Sequence, residues 1–189
     1  SLQEASVRQD YLGRVQTLFG SPESDTSLAH TITEFQDSLE SLASAPNSAL
    51  NQRAVVRSAD DLAIRFRELT GALQSLRQEA DQEIGTAVRE VNGLLTTIAD
   101  LNDKIARNGY AGQDTSSLQD QRDQSLDQLA GLMDIRVFRR ASGEAVVFTA
   151  SGRTLVDGTA NGLSHGIANQ LSAGASATGS GVDGISIGA

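Results

Sequence analysis

Cysteine and tryptophan are absent from the sequence, and aromatic residues make up only 4% of it. Without cysteine the chain can form neither a disulfide framework nor a thiolate metal site, and cysteine usage does not reveal its redox compartment. Because aromatic rings are so few, large anchors for a thick core are scarce, a shortage that bundles of Leu, Ile, Val and Ala tolerate best. The length of 189 residues suits one or two domains.

Basic residues are also in short supply: 15 Lys and Arg stand against 24 Asp and Glu, for a formal net charge of −9. This charge repels nucleic-acid phosphates and anionic lipid headgroups, so we expect neither nucleic acid nor a membrane surface as a partner. The sequence has no apolar run of about 18 residues that could cross a bilayer. Residues 1–4 show neither the basic nor the apolar region of a signal peptide, which predicts no cleavable signal.

Motifs for catalysis and cofactor binding are missing. His30 and His165 lie far apart in the sequence and lack the spacing of helical metal ligands, and His30 is expected on a solvated helix face. The sequence contains no Gly-x-Ser-x-Gly elbow, no Gly-Lys-Ser/Thr phosphate loop and no Gly-x-Gly-x-x-Gly motif after a strand. The acidic clusters fit solvated helix faces better than paired catalytic acids. We therefore expect no enzyme, no cofactor and no metal site.

One apolar stripe dominates the centre of the sequence, and its steps of three and four residues are typical of an α-helix. The stripe predicts a single helix over about residues 51–108, roughly 85 Å long at 1.5 Å per residue. A helix of this length with one apolar face must pack against other helices, which indicates a scaffold. The stripe consists of Leu62, Phe66, Leu69, Leu73, Leu76, Ala80, Ile84, Ala87, Val91, Leu94, Ile98, Leu101 and Ile105.

Shorter helices are predicted on both sides of the long one. The first ends at the stop signal of residues 20–22, and the second extends from about Ser27 to the turn at residues 45–47. A further helix follows the Gly-rich corner of residues 109–112, with Ser116 and Gln119 in capping-box spacing. Residues 1–134 are thus expected to form an elongated multi-helix bundle. Besides the long stripe, its expected core positions are Leu28, Ile32, Phe35, Leu39, Leu42, Leu126 and Leu129.

The periodicity changes to two after Asp134, which is typical of β-strands. Residues 135–149 predict a β-hairpin, and residues 153–156 a third short strand, in a region 135–158 packed at the end of the bundle. Residues 159–189 are interpreted as a Gly/Ser-rich linker around a small apolar patch at 167–171, followed by a truncated strand at 182–187. The expected fold class is therefore mainly α with a small β part.

One stretch of the last helix is more specific than the rest. It places Arg122 between two aspartates, where the guanidinium could hold carboxylates or carbonyls at a bundle end. The alternative is a surface ladder of ion pairs, which contributes little to stability. The motif residues are Leu118, Asp120, Gln121, Arg122 and Asp123.

This motif, followed by Leu-rich residues and then by residues 133–137, resembles the bacterial flagellar hook-associated protein 1 family, the first hook–filament junction proteins. The likeness includes residues 35–39 and 155–158 and continues in unbroken order from about Tyr11 to Gly158. The terminal coiled-coil segments of that family have no counterpart here, so the chain resembles a central fragment.

The resemblance implies a structural protein outside the cell, exported through the flagellar type III apparatus. The implied partners are copies of itself, the hook protein and the second junction protein, and no contact with an export chaperone is expected in this fragment. Another flagellar axial protein, such as a flagellin or the second junction protein, and a generic coiled-coil scaffold are the alternatives. Candidate lateral contacts, for which a plain solvated face is the alternative, are Gln74, Arg77, Gln78, Asp81 and Thr86.

Overall fold

The structure, a computed structural model, describes residues 2–21, 24–168 and 183–188. In these ranges four helices precede six short strands, which confirms the predicted class of mainly α with a small β part. None of the described helices is long and apolar enough to span a membrane. The elements are α1 (Leu2–Phe19), α2 (Leu28–Ser44), α3 (Ala49–Tyr110), α4 (Ser116–Leu132), β1 (Ile135–Arg139), β2 (Ala145–Thr149), β3 (Thr154–Asp157), β4 (Thr159–Ala160), β5 (Leu163–Ser164) and β6 (Ser186–Ile187).

The chain divides into two compact units, residues 1–77 and 78–189, and the boundary lies inside α3. This division differs from the expected one, in which a helical bundle ended at residue 134. The reason is that the C-terminal part of α3, α4 and the strands share one hydrophobic cluster. The strands are therefore part of a mixed unit, and the region 135–158 has no separate core.

In the first unit, polar contacts connect α1, α2 and the beginning of α3. The Ser27 hydroxyl caps α2 by accepting the His30 N–H at 3.0 Å. The hydroxyls of Ser38 in α2 and Ser58 in α3 lie 2.7 Å apart. Arg65 Nη2 of α3 donates to the carbonyl oxygen of Leu18 in α1 at 3.2 Å.

Apolar side chains of this first unit are only partly covered. Three expected core positions, Ile32, Leu39 and Phe66, are exposed by 36%, 42% and 48%, which corrects their assignment to a core. A stripe shows which face of a helix is apolar, but burial also requires another element to cover that face, and at these three positions the described residues cover it only in part. Leu69 and Leu76 are buried. The remaining expected positions of this unit, all half-buried, are Leu28, Phe35, Leu42, Leu62 and Leu73.

The second unit has a dense core to which α3, α4 and the strands all contribute. Leu94 of the predicted stripe is half-buried and packs on this cluster, whereas its neighbour Leu95 is fully buried. The sheet and α4 both pack on α3, so its buried face is wider than one stripe. Ile84, also in the stripe, is 38% exposed. The buried apolar residues of the unit include Val88, Val91, Leu95, Ile98, Leu101, Ile105, Leu126, Leu129, Val147, Leu155 and Val156.

The strands form two antiparallel sheets. The larger has the order β1-β2-β3-β4, and the smaller pairs β5 with β6. The predicted hairpin is confirmed, with Val137 opposite Val147 and a turn that contains Gly143 at φ +89°. Residues 159–168, expected to be part of a linker, contain β4 and β5. Residues 169–171 of the expected apolar patch lie outside the described residues, as does residue 182 of the expected last strand.

The N-terminus of α4 is capped differently from the prediction. The N-cap residue is Thr115, whose side chain makes no capping hydrogen bond to the backbone, and the expected capping box of Ser116 and Gln119 does not form. Gln119 Nε2 donates to the Thr115 hydroxyl at 2.9 Å. Asp114 Oδ1 accepts from the Ser116 hydroxyl at 2.6 Å and from the Ser116 N–H at 3.0 Å. These two hydrogen bonds, the hydroxyl bond first, lower the pKa of Asp114.

Candidate functional site

The Arg122 side chain is buried between α4 and the hairpin turn, with 2% of its surface exposed. Its Nη1 donates to the carbonyl oxygen of Gly143 at 2.5 Å, while Nε and Nη2 donate to Asp123 Oδ1 at 3.2 and 3.0 Å. A buried guanidinium requires both hydrogen bonds and a counter-charge, and these two partners supply them. Arg122 therefore fastens the hairpin turn to α4.

Asp123 extends this connection to the first strand. Its second carboxylate oxygen, Oδ2, accepts from Arg139 Nη2 at 3.0 Å. One carboxylate thus links the buried Arg122 to an arginine of β1. The other members of the sequence motif lie around this contact: Leu118 is half-buried, and Asp120 and Gln121 are exposed.

A buried asparagine of α3 holds the beginning of β2. Asn102 Nδ2 donates to the carbonyl oxygen of Ala145 at 2.7 Å, and Asn102 Oδ1 accepts the N–H of the same residue at 2.8 Å. Only 2% of Asn102 is exposed. The side-chain amide therefore satisfies both backbone groups of Ala145, as a neighbouring strand would.

Asn92 repeats this arrangement with β5. Its Nδ2 donates to the carbonyl oxygen of Leu163 at 2.8 Å, and its Oδ1 accepts the Leu163 N–H at 2.7 Å. A Cβ atom on Gly162 would lie 3.3 Å from Asn92 Oδ1, closer than ordinary van der Waals contact. Glycine at position 162 thus helps the chain to approach the helix.

Asp81 is the third polar residue of α3 that holds the C-terminal segment. Its Oδ1 lies 2.9 Å from His165 Nε2, and its Oδ2 accepts the Ala168 N–H at 2.8 Å. The side chains of His165 and Asp81 are 1% and 2% exposed. The assignment of Asp81 to an outer lateral-contact row is therefore wrong, because this carboxylate is buried by residues that follow the hairpin.

A glycine makes room for the same segment. A Cβ atom on Gly85 would lie 2.4 Å from Cδ1 of Ile167, a distance that side chains do not tolerate. Gly85 therefore lets Ile167 pack directly on the helix backbone, one turn beyond Asp81. The sequence showed this glycine inside a helical pattern without indicating what approaches it.

We call Asp81, Asn92, Asn102 and Arg122 the polar frame. The three residues of α3 are eleven and ten positions apart, about three helical turns each at 3.6 residues per turn. Each member of the frame bonds to at least one backbone group of the β-strands or their loops. The polar frame thus attaches the strands and their loops to the helices through hydrogen bonds.

The remaining candidate residues lie outside this frame. His30 is partly exposed, with Nε2 3.5 Å from Glu34 Oε1. Over the described ranges, no group of three or more His, Asp and Glu residues could hold a metal ion. Gln74, Arg77 and Gln78 are half-buried, and Thr86 is exposed. Their role as lateral contacts stays a prediction.

Comparison with known proteins shows which family this chain belongs to. The family described as "Flagellar hook-associated protein FlgK helical domain" matches residues 12–184, which is most of the chain. The chain belongs to the FlgK helical-domain family. The resemblance predicted from the motif of α4 is thereby confirmed, and the family match continues past Gly158 to residue 184.

Relatives of the FlgK family agree with this assignment. Flagellar hook-associated protein 1 of Bacillus subtilis is 29% identical over 133 residues, which cover 70% of this chain and 26% of the relative. The Salmonella typhimurium protein of the same name is 28% identical over 156 residues, covering 82% of this chain and 28% of the relative. The chain thus spans little more than a quarter of these proteins.

A solved structure supports the FlgK fold. The flagellar hook junction protein FlgK from Burkholderia pseudomallei has a TM-score of 0.71 and 26% sequence identity to this chain. The match covers 82% of this chain and 28% of that protein. The arrangement of helices and short strands described above is therefore shared with a FlgK protein.

Proposed function

We propose that this chain is the helical domain of a structural subunit in the junction between the flagellar hook and filament. The observation that carries the proposal is the FlgK helical-domain match over residues 12–184. It is supported by the names of the relatives, which are hook-associated or hook junction proteins. A FlgK match favours the first junction protein over a flagellin, the second junction protein or a generic coiled-coil scaffold.

The polar frame suggests how the domain serves this role. A junction subunit must keep its shape under mechanical load, and the frame fixes the strands to α3 and α4 through hydrogen bonds to the backbone that are buried at Asn102 and half-buried at the other members. A typical hydrogen bond contributes about 1 kcal/mol to the free energy of unfolding. Removing one partner costs more, because the other partner stays shielded from water without a hydrogen bond. The strands therefore resist separation from the helices. We infer a passive structural role with no reaction catalysed.

The partners follow from the same proposal. We expect the subunit to assemble with copies of itself and with neighbouring flagellar axial proteins, namely the hook protein and the second junction protein. The location is then the flagellum, outside the cell. Nucleic acid, membrane and export chaperone are not among the expected partners of this domain.

Complementation of a deletion strain tests this function. The gene that encodes the chain is deleted from the source bacterium, and the full-length protein is then restored from a plasmid. We expect the deletion to leave hooks without stable filaments, and the wild-type gene to restore filaments and swimming. A deletion strain that keeps normal filaments would contradict the proposal. Two variants of the full-length protein are compared in the same deletion strain. Asn102→Ala removes a contact of the polar frame, and its matched control Asn108→Ala does not.

A further inference from the structure

Strand β1 forms one edge of the four-stranded sheet. Val137 and Phe138, at its centre, are exposed by 42% and 62%. Arg136, beside them, has no ion-pair partner among the described residues. An edge strand presents backbone N–H and C=O groups that can pair with a further strand.

Hydrogen bonds at both ends of the hairpin fix the orientation of the backbone groups of β1. The Arg140 N–H donates to the carbonyl oxygen of Glu144 at 2.9 Å, and the Ala150 N–H donates to that of Asp134 at 3.2 Å. In an antiparallel pair, hydrogen-bonded and non-hydrogen-bonded residue pairs alternate along the strands. Even-numbered residues from 134 to 140 therefore bond to the β2 side.

The odd-numbered residues Ile135, Val137 and Arg139 consequently direct their N–H and C=O groups away from β2. The partner of Arg139 in the register, Ala145, supports this alternation, because both of its backbone groups bond to Asn102 instead. No hydrogen bond to the outward groups of β1 is found among the described residues. The edge thus offers three donors and three acceptors.

The side chains of β1 are complementary to those of a second β1 strand that runs antiparallel to it. When a second β1 runs antiparallel with Val137 opposite its own copy, Ile135 faces Arg139 of the second copy, and all outward groups pair. In the same register Arg136 faces Phe138 of the second copy, once on each side of the two-fold axis. A guanidinium over an aromatic face forms a favourable cation–π contact. No like charges stand directly opposite each other, a juxtaposition that destabilises sheets.

We propose that β1 is a docking edge for a second copy of this chain, joined in a two-fold antiparallel β1–β1 contact. A two-fold contact closes at two copies, so it differs from the repeating contacts of a layer and stands independently of the junction proposal. Five residues per copy form a small interface, below about 1,200 Å² of buried surface, which predicts a weak and reversible dimer. The contact therefore forms between free chains that are not part of an assembled layer.

Cross-linking tests the register. Because the sequence has no cysteine, Val137→Cys gives each copy one thiol, placed at the two-fold axis. The two Cβ atoms would lie about 5 Å apart, within reach of a short dimaleimide. The control Ser142→Cys places an exposed thiol in the hairpin turn, where the two copies would be separated by roughly 30 Å at about 3.4 Å per residue.

The proposal predicts that the Val137→Cys protein cross-links several-fold more than the Ser142→Cys protein, with a yield that rises with protein concentration. Equal yields from the two proteins, or no cross-linked dimer from Val137→Cys, would overturn it.

A proline at the same position tests the backbone contact without a cross-linker. Val137→Pro removes the outward N–H and leaves the hydrogen bonds between β1 and β2, which involve the even-numbered residues. Each dimer would lose two hydrogen bonds, so we expect sedimentation analysis to show association at least about tenfold weaker than in the wild type. The control Val137→Thr keeps the N–H and should associate normally. A wild-type chain that stays monomeric, or a proline variant that associates equally well, refutes the contact.

Discussion

Single polar residues connect helices to strands in this domain through backbone groups. Asn102 and Asn92 each satisfy the N–H and the carbonyl of one residue, and Arg122 and Asp81 reach the hairpin turn and the segment after the sheet. A mutation that removes one of these side chains leaves its backbone partner in place, and that buried or half-buried donor or acceptor then lacks its hydrogen bond. The stability of the unit should therefore depend strongly on these few positions.

Asn102→Ala is expected to lower the free energy of unfolding by about 3 kcal/mol, because two backbone groups of Ala145 lose their partners in a buried environment. Urea-induced unfolding, followed by circular dichroism, measures this change. Asn108→Ala is the matched control on the same helix, since its half-buried side chain makes no hydrogen bond among the described residues; its effect should stay within about 0.5 kcal/mol. Similar losses in both variants would rule out a special role for Asn102.

The Asp114 carboxylate predicts a pH effect at the beginning of α4. Its pKa is lowered by hydrogen bonds from the Ser116 hydroxyl and N–H, so the ionised form is favoured in the folded state. The resulting stabilisation is present above the unfolded pKa of about 3.9 and is lost as the pH falls through the lower folded value. Asp114→Asn should therefore destabilise the chain at pH 7 and have a smaller effect near pH 3. Urea unfolding at both pH values measures the difference, with the exposed Asp120→Asn as control. A destabilisation that does not depend on pH would contradict this explanation.

At the scale of elements, α4 and the β1–β2 hairpin behave as one assembly because Arg122 and Asp123 join them. Arg122→Lys keeps the charge but loses the planar group that reaches Gly143 and Asp123 together. We expect faster hydrogen exchange at the amides of β1 and β2, with exchange in α1 and α2 unchanged, because those helices belong to the other unit. Hydrogen-exchange mass spectrometry provides the measurement.

The exposed Arg153→Lys is the control for that experiment, since position 153 lies next to the same sheet. It should leave the exchange of the hairpin at the wild-type rate. Unaltered hairpin exchange in Arg122→Lys would show that the strands are held without this guanidinium.

Helix α3 is the central element of the core in the second unit. Leu95→Asp places a charge at a fully buried position, which we expect to destabilise the unit by more than about 4 kcal/mol. Asp60→Asn, at an exposed position of the same helix, should change the melting temperature little. Thermal melting monitored by circular dichroism compares the two variants. A small loss for Leu95→Asp would contradict the packing described above.

At the scale of the whole molecule, local patterns predicted elements well and long-range contacts poorly. Apolar steps of three and four residues located α3, and the change of period after Asp134 located the hairpin, because both signals lie within a few neighbouring residues. The pairing of Asp81 with His165 joins positions 84 residues apart. Nothing in the local spacing distinguishes Asp81 from the exposed acids around it.

The two units were also not predictable from periodicity. One continuous stripe along α3 suggested one continuous bundle, although different partners cover its two parts. The exposure of Ile32, Leu39 and Phe66 shows the limit of such a stripe: it indicates which face is apolar, whereas burial depends on what packs against it. The motif around Arg122 was visible in the sequence, but its backbone partner Gly143 required the fold.

Immunogold electron microscopy of flagella from the source bacterium, with antibodies raised against this chain, tests the central claim most directly. A subunit of the junction should be labelled in a narrow band at the boundary between hook and filament. Label along the whole filament, or none on the flagellum, would contradict the assignment of this FlgK-family domain to the hook–filament junction.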